Sequence, residues 1–362
     1  MRKLPPKNSP EWAELTQAWQ NSPRETILQL ARKYGVKPSS IKERMSDEGI
    51  KRRPSFSLEP PQGTIPILED LLNRIVSIPK IELTPLPLTK ENGDEETQVL
   101  VFSDSQVGQR TEDYNAVTFK TRVKVLQQKL HKIGQIHRKF RPVKNLAVFF
   151  LGDIIENERV GFQLTLDELD KVVLDQIFEV STPAIAELLI NSLQLYENID
   201  CYCVRGNHGS LGKFAAASSN WDTVVYKVLE LRLREFDRIK FHIEDKHFYQ
   251  VAEVMGHKYL LLHGDQVPSW MGLPHYGLER RVNRLKVNLP KDFEMAVVGH
   301  FHTPNYMTYG GIPVLINGAW VTGADYPLAR LGLSDRASQW TFFVNPEYLV
   351  TALYELRLEG KA

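Results

Sequence analysis

Residues 145–153 read "NLAVFFLGD", a run of apolar residues that stops at a glycine and an aspartate. Two further runs of the same kind are "TQVLVFSD" (97–104) and "IDCYCVRGN" (199–207), which also end in polar residues. A continuous apolar run, as opposed to strict alternation, is typical of a β-strand that is covered on both faces. The three runs therefore predict buried strands that each end at polar side chains.

Predicted helices separate these strands. They fall at about residues 115–140 and 166–196, and the second has a break near Pro183. Strands that alternate with helices indicate βαβ units and an α/β fold.

The C-terminal half predicts more strands. Residues 240–265 have the pattern of successive antiparallel strands. Four further strands are predicted at residues 294–300, 312–318, 339–344 and 349–357. This is enough β-structure for two packed sheets with helices outside them.

The length of 362 residues favours two domains, or one large domain with an appendage. The net charge is only +1, but residues 1–60 hold twelve Lys or Arg against seven acidic residues, a net charge of +5. A basic segment on a mildly acidic body indicates a module that binds a polyanion.

The two cysteines, Cys201 and Cys203, would point to the same face of a strand and do not form a disulfide framework. We expect both cysteines to be reduced core residues and the protein to be cytoplasmic.

No apolar run approaches the ~20 residues that span a membrane, so no membrane partner is expected. The oligomeric state stays open.

Residues 24–49 predict two short helices that meet at a glycine. Ile27, Leu30, Ala31 and Tyr34 have the spacing of one helix face, and Gly35 ends that helix. Ser39 or Ser40 is expected to cap a second helix, which carries Ile41 and Met45. The segment resembles the DNA-binding helix-turn-helix family. The alternative is a helical hairpin that only packs or dimerises.

The resemblance implies which residues contact DNA. On the groove-facing helix they are Lys37, Ser39, Ser40, Lys42 and Arg44. Lys51, Arg52 and Arg53 follow directly and are expected to contact phosphates, although taken alone they are better explained as a solvated charge run. Together these segments predict a basic domain at residues 1–53. A proline-rich linker follows at 54–96, with a short helix at 67–78, and a large domain covers 97–362.

The polar residues at the predicted strand ends form a chemically coherent set. In chain order they are Asp104, Gln106, Asp153, Asn207, His208, His263, His300 and His302. Carboxylates, amide oxygens and imidazoles bind divalent transition metals such as Mn²⁺, Fe and Zn²⁺. The C-terminal ends of core strands are where α/β folds place their sites. Each histidine alone is better explained as an ordinary core residue, but the set favours a metal centre.

These residues follow the motif order D-x-[H/Q], GD, GNH, HG, GHxH, and the chain here resembles the calcineurin-like metallophosphoesterases over about residues 97–325. The resemblance implies a four-layer αββα sandwich of two mixed β-sheets flanked by helices, in addition to the small all-α N-terminal domain. The segments "GNHGSLGK", "SSNWD", "LPHYGLERR" and "INGAW" are similar to members found in phages and mobile elements.

The resemblance also implies ligands for two divalent metal ions. One ion would take Asp104, Gln106, Asp153 and His302; the other would take Asp153, Asn207, His263 and His300. Asp153 would bridge the ions, which together polarise a phosphoryl group. His208 would donate a proton to the leaving oxygen or stabilise the developing charge.

Three positions depart from the family pattern. Gln106 stands where the family usually has His, so we expect a looser first metal and a preference for Mn²⁺ or Mg²⁺ over Zn²⁺. Gly209 stands where many relatives have an acid, so either a carboxylate from elsewhere orients His208 or the pKa of this histidine stays low. Glu156 and Asn157 replace the "DR" of the phosphoprotein phosphatases, which removes a phosphomonoester-binding arginine.

The sequence therefore favours a two-metal phosphodiesterase, a nuclease directed to DNA by its N-terminal segment. A nucleotidase or small-molecule phosphatase with a regulatory N-terminal domain needs the same metal ligands and is the first alternative. A non-catalytic DNA-binding or assembly protein, in which Gln106 has cost one metal, is the second.

Overall fold

The computed structural model of the chain divides into two compact units, Met1–Asp70 and Leu71–Ala362. It describes residues 4–21, 27–48, 50, 73, 94–158, 169–212, 216, 218–268, 274–323 and 336–359. The expected phosphate contacts Lys51, Arg52 and Arg53 lie outside the described residues. So does the proline-rich linker with its helix at 67–78, apart from residues 73 and 94–96.

The described residues of the first unit form three helices: α1 (Pro10–Asn21), α2 (Ile27–Tyr34) and α3 (Pro38–Asp47). Its small core consists of Trp12, Leu15, Leu30, Ala31, Val36, Ile41 and Met45. The region is helical, as predicted, but the sequence analysis did not predict helix α1. Its side chains Trp12 and Leu15 are buried, and the Trp12 indole nitrogen donates to a Glu48 carboxylate oxygen at 2.8 Å.

The turn between α2 and α3 is made by Gly35, whose φ of +69° is the left-handed conformation that glycine adopts without a Cβ clash. The predicted cap by Ser39 or Ser40 is wrong. Lys37 is the N-cap residue, with no side-chain hydrogen bond, and Pro38 is the first helical residue. Proline has a preset φ and no N–H to satisfy, so the helix begins there without a hydroxyl cap.

The larger unit contains a six-stranded mixed sheet in the order β11-β10-β1-β2-β3-β4. Its strands are β1 (Glu96–Phe102), β2 (Val143–Phe150), β3 (Asn198–Cys203), β4 (Ile239–Ile243), β10 (Ser338–Val344) and β11 (Ala352–Arg357). Strands β1 to β4 are parallel neighbours, so their C-terminal ends lie at one edge. Strands β10 and β11 add an antiparallel border next to β1.

A second mixed sheet has five strands in the order β5-β6-β7-β9-β8. They are β5 (Tyr249–Val254), β6 (His257–Leu262), β7 (Met295–Val298), β8 (Asn305–Tyr309) and β9 (Ile312–Ile316). The central strands β6, β7 and β9 run parallel. The outer strands β5 and β8 are antiparallel to their neighbours.

Side chains that alternate along the strands build three apolar layers. In β2, Ala147 and Phe149 face the other sheet, and Val148 and Phe150 face helices. Those helices are α4 (Ala116–His137), α5 (Thr182–Ser192) and α6 (Trp221–Arg232), and helix α7 (His275–Asn288) covers the second sheet. Each fully buried Leu, Val or Phe contributes roughly 1.5–3 kcal/mol. The four-layer αββα arrangement expected from the resemblance is confirmed.

The helix predicted over 166–196 begins later, with a turn at Val173–Asp175 and a π-helical turn at Gln176–Ser181, before α5. Proline at position 183 has no N–H, and its ring would clash with the carbonyl four residues earlier in a regular helix. The wider turn avoids this clash. The Ser181 and Thr182 hydroxyls donate to the Gln176 and Ile177 carbonyls at 2.7 and 2.8 Å.

The prediction of successive antiparallel strands over 240–265 is correct for β5 and β6 and wrong for β4. Strand β4 lies in the first sheet, parallel to β3, with Ile199 opposite Ile239. Helix α6 forms the crossover between them, which is the usual connection for parallel strands. The chain changes sheets only after β4.

Cys201 and Cys203 are free thiols, and both side chains lie in the helix-facing core, as their spacing in the strand predicts.

Among the described residues, none of the helices combines the length and the apolar character that crossing a bilayer requires.

Candidate metal centre

The strand-end residues come together at one edge of the sandwich. Asp104 and Gln106 follow β1, Asp153 follows β2, and Asn207 follows β3 in the first sheet. His263 follows β6 in the second sheet, and His300 and His302 follow β7. Because the two sheets pack face to face, ligands from both reach the same site.

The backbone at these positions is unusual. Non-glycine residues with left-handed φ include Asp104 (+56°), Gln106 (+41°), Asp153 (+51°), His300 (+69°) and His302 (+61°). This conformation costs of order 1–3 kcal/mol per residue and persists only where the surroundings enforce it. Strain at five predicted ligand positions indicates that the loops are shaped to direct these side chains.

His263 is the centre of the best-formed cluster. Its Nδ1 donates to the Leu151 carbonyl at 2.8 Å, which leaves Nε2 as the ring atom that faces the site. That Nε2 lies 2.9 Å from Asp153 Oδ2, 3.0 Å from Asn207 Oδ1 and 3.2 Å from His300 Nδ1. A single proton on Nε2 satisfies only one of these three acceptors. A divalent cation satisfies all four atoms, so the donor set fits a metal ion.

The electrostatics put two members of this cluster in the forms that bind metals and leave a proton on the third. Burial lowers the pKa of His263, but the Asp153 carboxylate outweighs burial and raises it to about 10, so a cation bound at Nε2 would displace a proton. Burial raises the pKa of the Asp153 carboxyl, but positive charge on His263 and His208 outweighs it and holds that pKa well below its usual range. Burial lowers the pKa of His300 to about 4. At neutral pH, Asp153 is therefore a carboxylate and His300 a neutral imidazole, the forms that bind metals.

The residues expected at the other metal are less well converged. His302 Nε2 lies 3.5 Å from Asp104 Oδ1. The amide nitrogen of Gln106 lies 3.2 Å from His208 Nε2 and 3.5 Å from His302 Nε2, so in this orientation the nitrogen, and not the oxygen, faces the two rings. A metal would need the amide oxygen instead, which a rotation of the amide group provides.

A buried polar network that the sequence did not reveal holds Asp104. Its two oxygens accept from the His300 backbone N–H at 2.9 and 3.0 Å, and the Ser103 hydroxyl donates to Oδ2. Asn317 donates to the Ser103 oxygen and to Gln339 Oε1, both at 2.8 Å. The segment "INGAW" that contains Asn317 therefore orients a predicted metal ligand from behind.

His208 has the carboxylate partner that the sequence left unassigned. Its Nδ1 lies 3.1 Å from a carboxylate oxygen of Glu156, which is buried. Burial lowers the pKa of His208, but the carboxylates of Asp153 and Glu156 outweigh burial and raise it to about 9. Its Nε2 faces the centre, 3.7 Å from Asp153 Oδ2. Glu156 carried no sequence signal beyond its place in the "GDIIEN" motif.

Asn157 occupies the position of the missing phosphatase arginine. Its amide nitrogen donates to the His208 and Ser210 carbonyls at 3.0 and 3.2 Å. The Asn157 side chain is therefore engaged with the loop that bears His208.

The histidines predicted to be structural or surface residues lie apart from this centre. Each has a separate partner: His131 with Ser192, His137 with Glu96, His242 with Asp200, His247 with Glu244, and His257 with Glu294. His275, whose role the sequence left open, lies 2.8 Å from the Tyr309 hydroxyl.

The predicted DNA-contacting residues of the first unit lie at the start and along the length of α3. Lys37, Ser39 and Lys42 are exposed, and Ser40 is half-buried. Arg44 is also half-buried: its guanidinium lies 5.0 Å from the Trp12 ring centroid and donates to the Pro5 carbonyl. Arg44 thus stabilises the three-helix unit, whatever else it contacts.

Several solved structures are similar to the chain. Vps29 from Entamoeba histolytica, complexed with zinc, is 14% identical, with a TM-score of 0.35 and coverage of 71% of this chain and 91% of that one. An archaeal phosphodiesterase is 13% identical, with a TM-score of 0.34 and coverage of 71% and 98%. These likenesses are too remote to transfer an activity. No curated protein sequence matches the chain.

The family comparison is more direct. The model of the calcineurin-like phosphoesterases matches residues 97–330, well over half of the chain. This range contains both sheets except β10, β11 and the first residue of β1, together with every candidate metal ligand. The chain belongs to the calcineurin-like phosphoesterase family, and with it to the metal-dependent phosphoester hydrolases.

Proposed function

We propose that the chain is a two-metal phosphodiesterase that cleaves nucleic acid, with its N-terminal unit as a DNA-binding segment. The observation that carries the hydrolase part is the convergence of lone pairs from Asp153, Asn207 and His300 on His263 Nε2. Such a cluster is costly without a cation.

One ion would be held by Asp153, Asn207, His263 and His300, and the other by Asp104, Gln106, Asp153 and His302. Divalent cations, when bound, supply positive charge that polarises a phosphoryl group and acidifies a nucleophilic water. The oxygen-rich set around Asp104 and a neutral Gln106 favour Mn²⁺ over softer ions.

His208 would supply the proton for the leaving oxygen. Glu156 holds Nδ1, so that Nε2 is the ring atom directed at the centre. A protonated Nε2 donates to the departing oxygen, and the Glu156 carboxylate stabilises the positive ring. Gln106, 3.2 Å from the same Nε2, helps to fix the ring plane.

The position of Asn157 supports a diester substrate. A phosphomonoester carries more negative charge than a diester, and an arginine fork is the usual group that binds it. The Asn157 side chain is neutral and engaged with the His208 loop. A diester, with one negative charge, needs less compensation.

The charge of the first unit supports nucleic acid as the diester. Lys37 and Lys42 are exposed on α3, in a segment that carries a net charge of +5 over residues 1–60. Surface cations of this kind bind phosphate backbones. We retain two further expectations as proposals: a cytoplasmic location, in keeping with two free buried thiols, and a kinship with phage and mobile-element members.

The test is hydrolysis by the Mn²⁺-loaded protein of single- and double-stranded DNA, RNA, bis-p-nitrophenyl phosphate and a mononucleotide. We expect cleavage of the diesters, and loss of that cleavage in Asp153→Asn and His208→Ala. Intact polymers beside a hydrolysed mononucleotide would replace the nuclease with a nucleotidase. No hydrolysis of any substrate would favour a non-catalytic binding protein.

A further inference from the structure

Asp222 is a completely buried carboxylate at the start of α6, in the segment "SSNWD". Its Oδ2 accepts from the backbone nitrogen of Asp153 at 2.9 Å and from that of Gly206 at 2.8 Å. Its Oδ1 accepts from the backbone nitrogen of Ile154 at 2.9 Å. One side chain thus receives three backbone N–H groups, from two loops that are distant in sequence.

Those two loops carry the central ligands. One contains Asp153, and the other contains Asn207 directly after Gly206. The backbone nitrogens of both loops donate to the same atom, Asp222 Oδ2, which holds the two loops close together. The spacing between the bridging carboxylate and the amide ligand therefore depends on Asp222.

Asn220 completes the arrangement. Its amide nitrogen donates to the Gly206 carbonyl at 2.8 Å, and its oxygen accepts from the Asp222 backbone nitrogen at 2.8 Å. Gly206 is therefore bound at both its N–H and its C=O. A Cβ at Gly206 would lie only 2.1 Å from Asp153 Oδ1, so the two loops are in close contact.

An ordinary role at a helix start does not account for Asp222. An acidic residue in the first turn stabilises a helix through that helix's own free N–H groups and dipole. Both Asp222 oxygens are instead occupied by N–H groups from the Asp153 and Gly206 loops. Three charge-assisted hydrogen bonds make this a strong constraint on the loops.

We propose that Asp222 is a positioning residue of the metal centre, which fixes the loops of Asp153 and Asn207 at the separation that two cations sharing Asp153 require. The inference rests on the proposed function, since it presumes the two-cation centre. It adds a residue that touches neither metal nor substrate.

The test compares Asp222→Asn with Glu96→Gln by calorimetric titration of Mn²⁺ into the full chain. Glu96 is the matched control, because it is also a buried carboxylate but lies at the opposite end of β1 from Asp104. An amide has one acceptor oxygen, so Asp222→Asn leaves at least one loop N–H without its partner. We expect Mn²⁺ affinity to fall about 10–100-fold in Asp222→Asn and to stay unchanged in Glu96→Gln.

Electron paramagnetic resonance of the Mn²⁺-loaded proteins gives a readout that general destabilisation does not change. Wild type and Glu96→Gln should show an exchange-coupled pair, and Asp222→Asn should show isolated ions. If Asp222→Asn does not fold, Asn220→Ala is tested instead. This variant loses the hydrogen bond to the Gly206 carbonyl and the one from the Asp222 nitrogen, so we expect Mn²⁺ affinity to fall about fivefold or more. Wild-type affinity and coupling in the folded variant would overturn the inference, as would a wild type that binds no Mn²⁺.

A different result would contradict the proposed function but not the role of Asp222. In that case the wild type would bind Mn²⁺ with an affinity that depends on Asp222, but it would not cleave nucleic acids.

Discussion

His208 Nδ1 lies 3.1 Å from Glu156 Oε2, and this pair places the other ring nitrogen of His208 at the metal centre. Glu156→Gln should lower kcat for a diester about 10²-fold, because general acid catalysis is worth roughly 10²–10⁴-fold and its orienting partner is weakened. Steady-state kinetics with bis-p-nitrophenyl phosphate measure this. The double variant with His208→Ala should be no slower than His208→Ala alone; additive losses would show that Glu156 acts independently of His208.

Gln106→His should tighten binding at the first metal. The amide nitrogen of Gln106 lies 3.2 and 3.5 Å from the ring nitrogens of His208 and His302, whereas an imidazole at this position offers a lone pair to a cation. We expect about tenfold higher affinity, or ~1.4 kcal/mol, in a calorimetric Mn²⁺ titration. Gln109→His, in the same loop, is the control and should leave the Mn²⁺ affinity unchanged. Equal affinities for wild type and Gln106→His would argue that position 106 is not a ligand.

Gly152→Ala should be far more destabilising than Gly256→Ala. The two glycines have nearly the same φ, +86° and +88°, so both variants carry a similar backbone penalty of about 1–2 kcal/mol. A Cβ at Gly152 would also lie 2.2 Å from the Gly206 nitrogen, whereas Gly256 has open space. Urea unfolding measures the free energy of unfolding of each variant, and the difference between them reports the cost of separating the two metal-binding loops. Equal losses of stability in the two variants would mean that this separation costs little.

His131 should make stability depend on pH. Burial lowers its pKa from 6.5 to about 4. Above pH 6.5 both folded and unfolded chains are neutral at this ring, and its full contribution is present. As the pH falls towards 4, the unfolded chain takes up the proton first, so the free energy of unfolding decreases.

The effect should reach up to about 2 kcal/mol, because the ring is half-buried and water screens part of it. Urea unfolding at pH 7 and pH 4.5 should show a smaller decrease for His131→Gln than for wild type. Lys132→Gln, at the neighbouring exposed position of the same helix, is the control and should show the same decrease as wild type. The same decrease in all three proteins would remove His131 as its cause.

Lys37→Gln with Lys42→Gln should weaken DNA binding and reduce its salt dependence. Each phosphate contact that is lost lowers the slope of log K against log salt by about 0.9 for duplex DNA. Fluorescence anisotropy at several salt concentrations, without divalent metal, measures the slope. Lys240→Gln, an exposed lysine on β4, is the control. An unaltered slope in the double variant would count against α3 as the DNA-contacting helix.

The sequence predicted the central strands well, because "NLAVFFLGD" and its counterparts are continuous apolar runs that end in polar residues. It missed β8, whose five residues "NYMTY" alternate between half-buried and exposed positions and carry little apolar signal. It also missed α1, a short helix that buries Trp12 and Leu15. Short amphipathic elements are decided by tertiary contacts that a local pattern does not contain.

The candidate ligands were visible in the sequence because each lies in a short motif at a strand end. The residues that hold these ligands in place could not be identified from the sequence. Asp222 has the sequence context of a helix-start acid, and Asn317 follows an ordinary strand; only folding brings them behind Asp153 and Asp104. The amide orientation of Gln106 is likewise decided by the ring nitrogens around it, 3.2 and 3.5 Å away.

The ligands come from both sheets: Asp104, Asp153 and Asn207 from one, His263, His300 and His302 from the other. A cation bound by both groups is a cross-link between the two halves of the sandwich. Since the unfolded chain cannot present this set, binding energy adds to folding energy, by about 2.7 kcal/mol at a metal concentration of 100 times Kd. Metal supply in the cell would then control how long the folded protein persists, in addition to how fast it works.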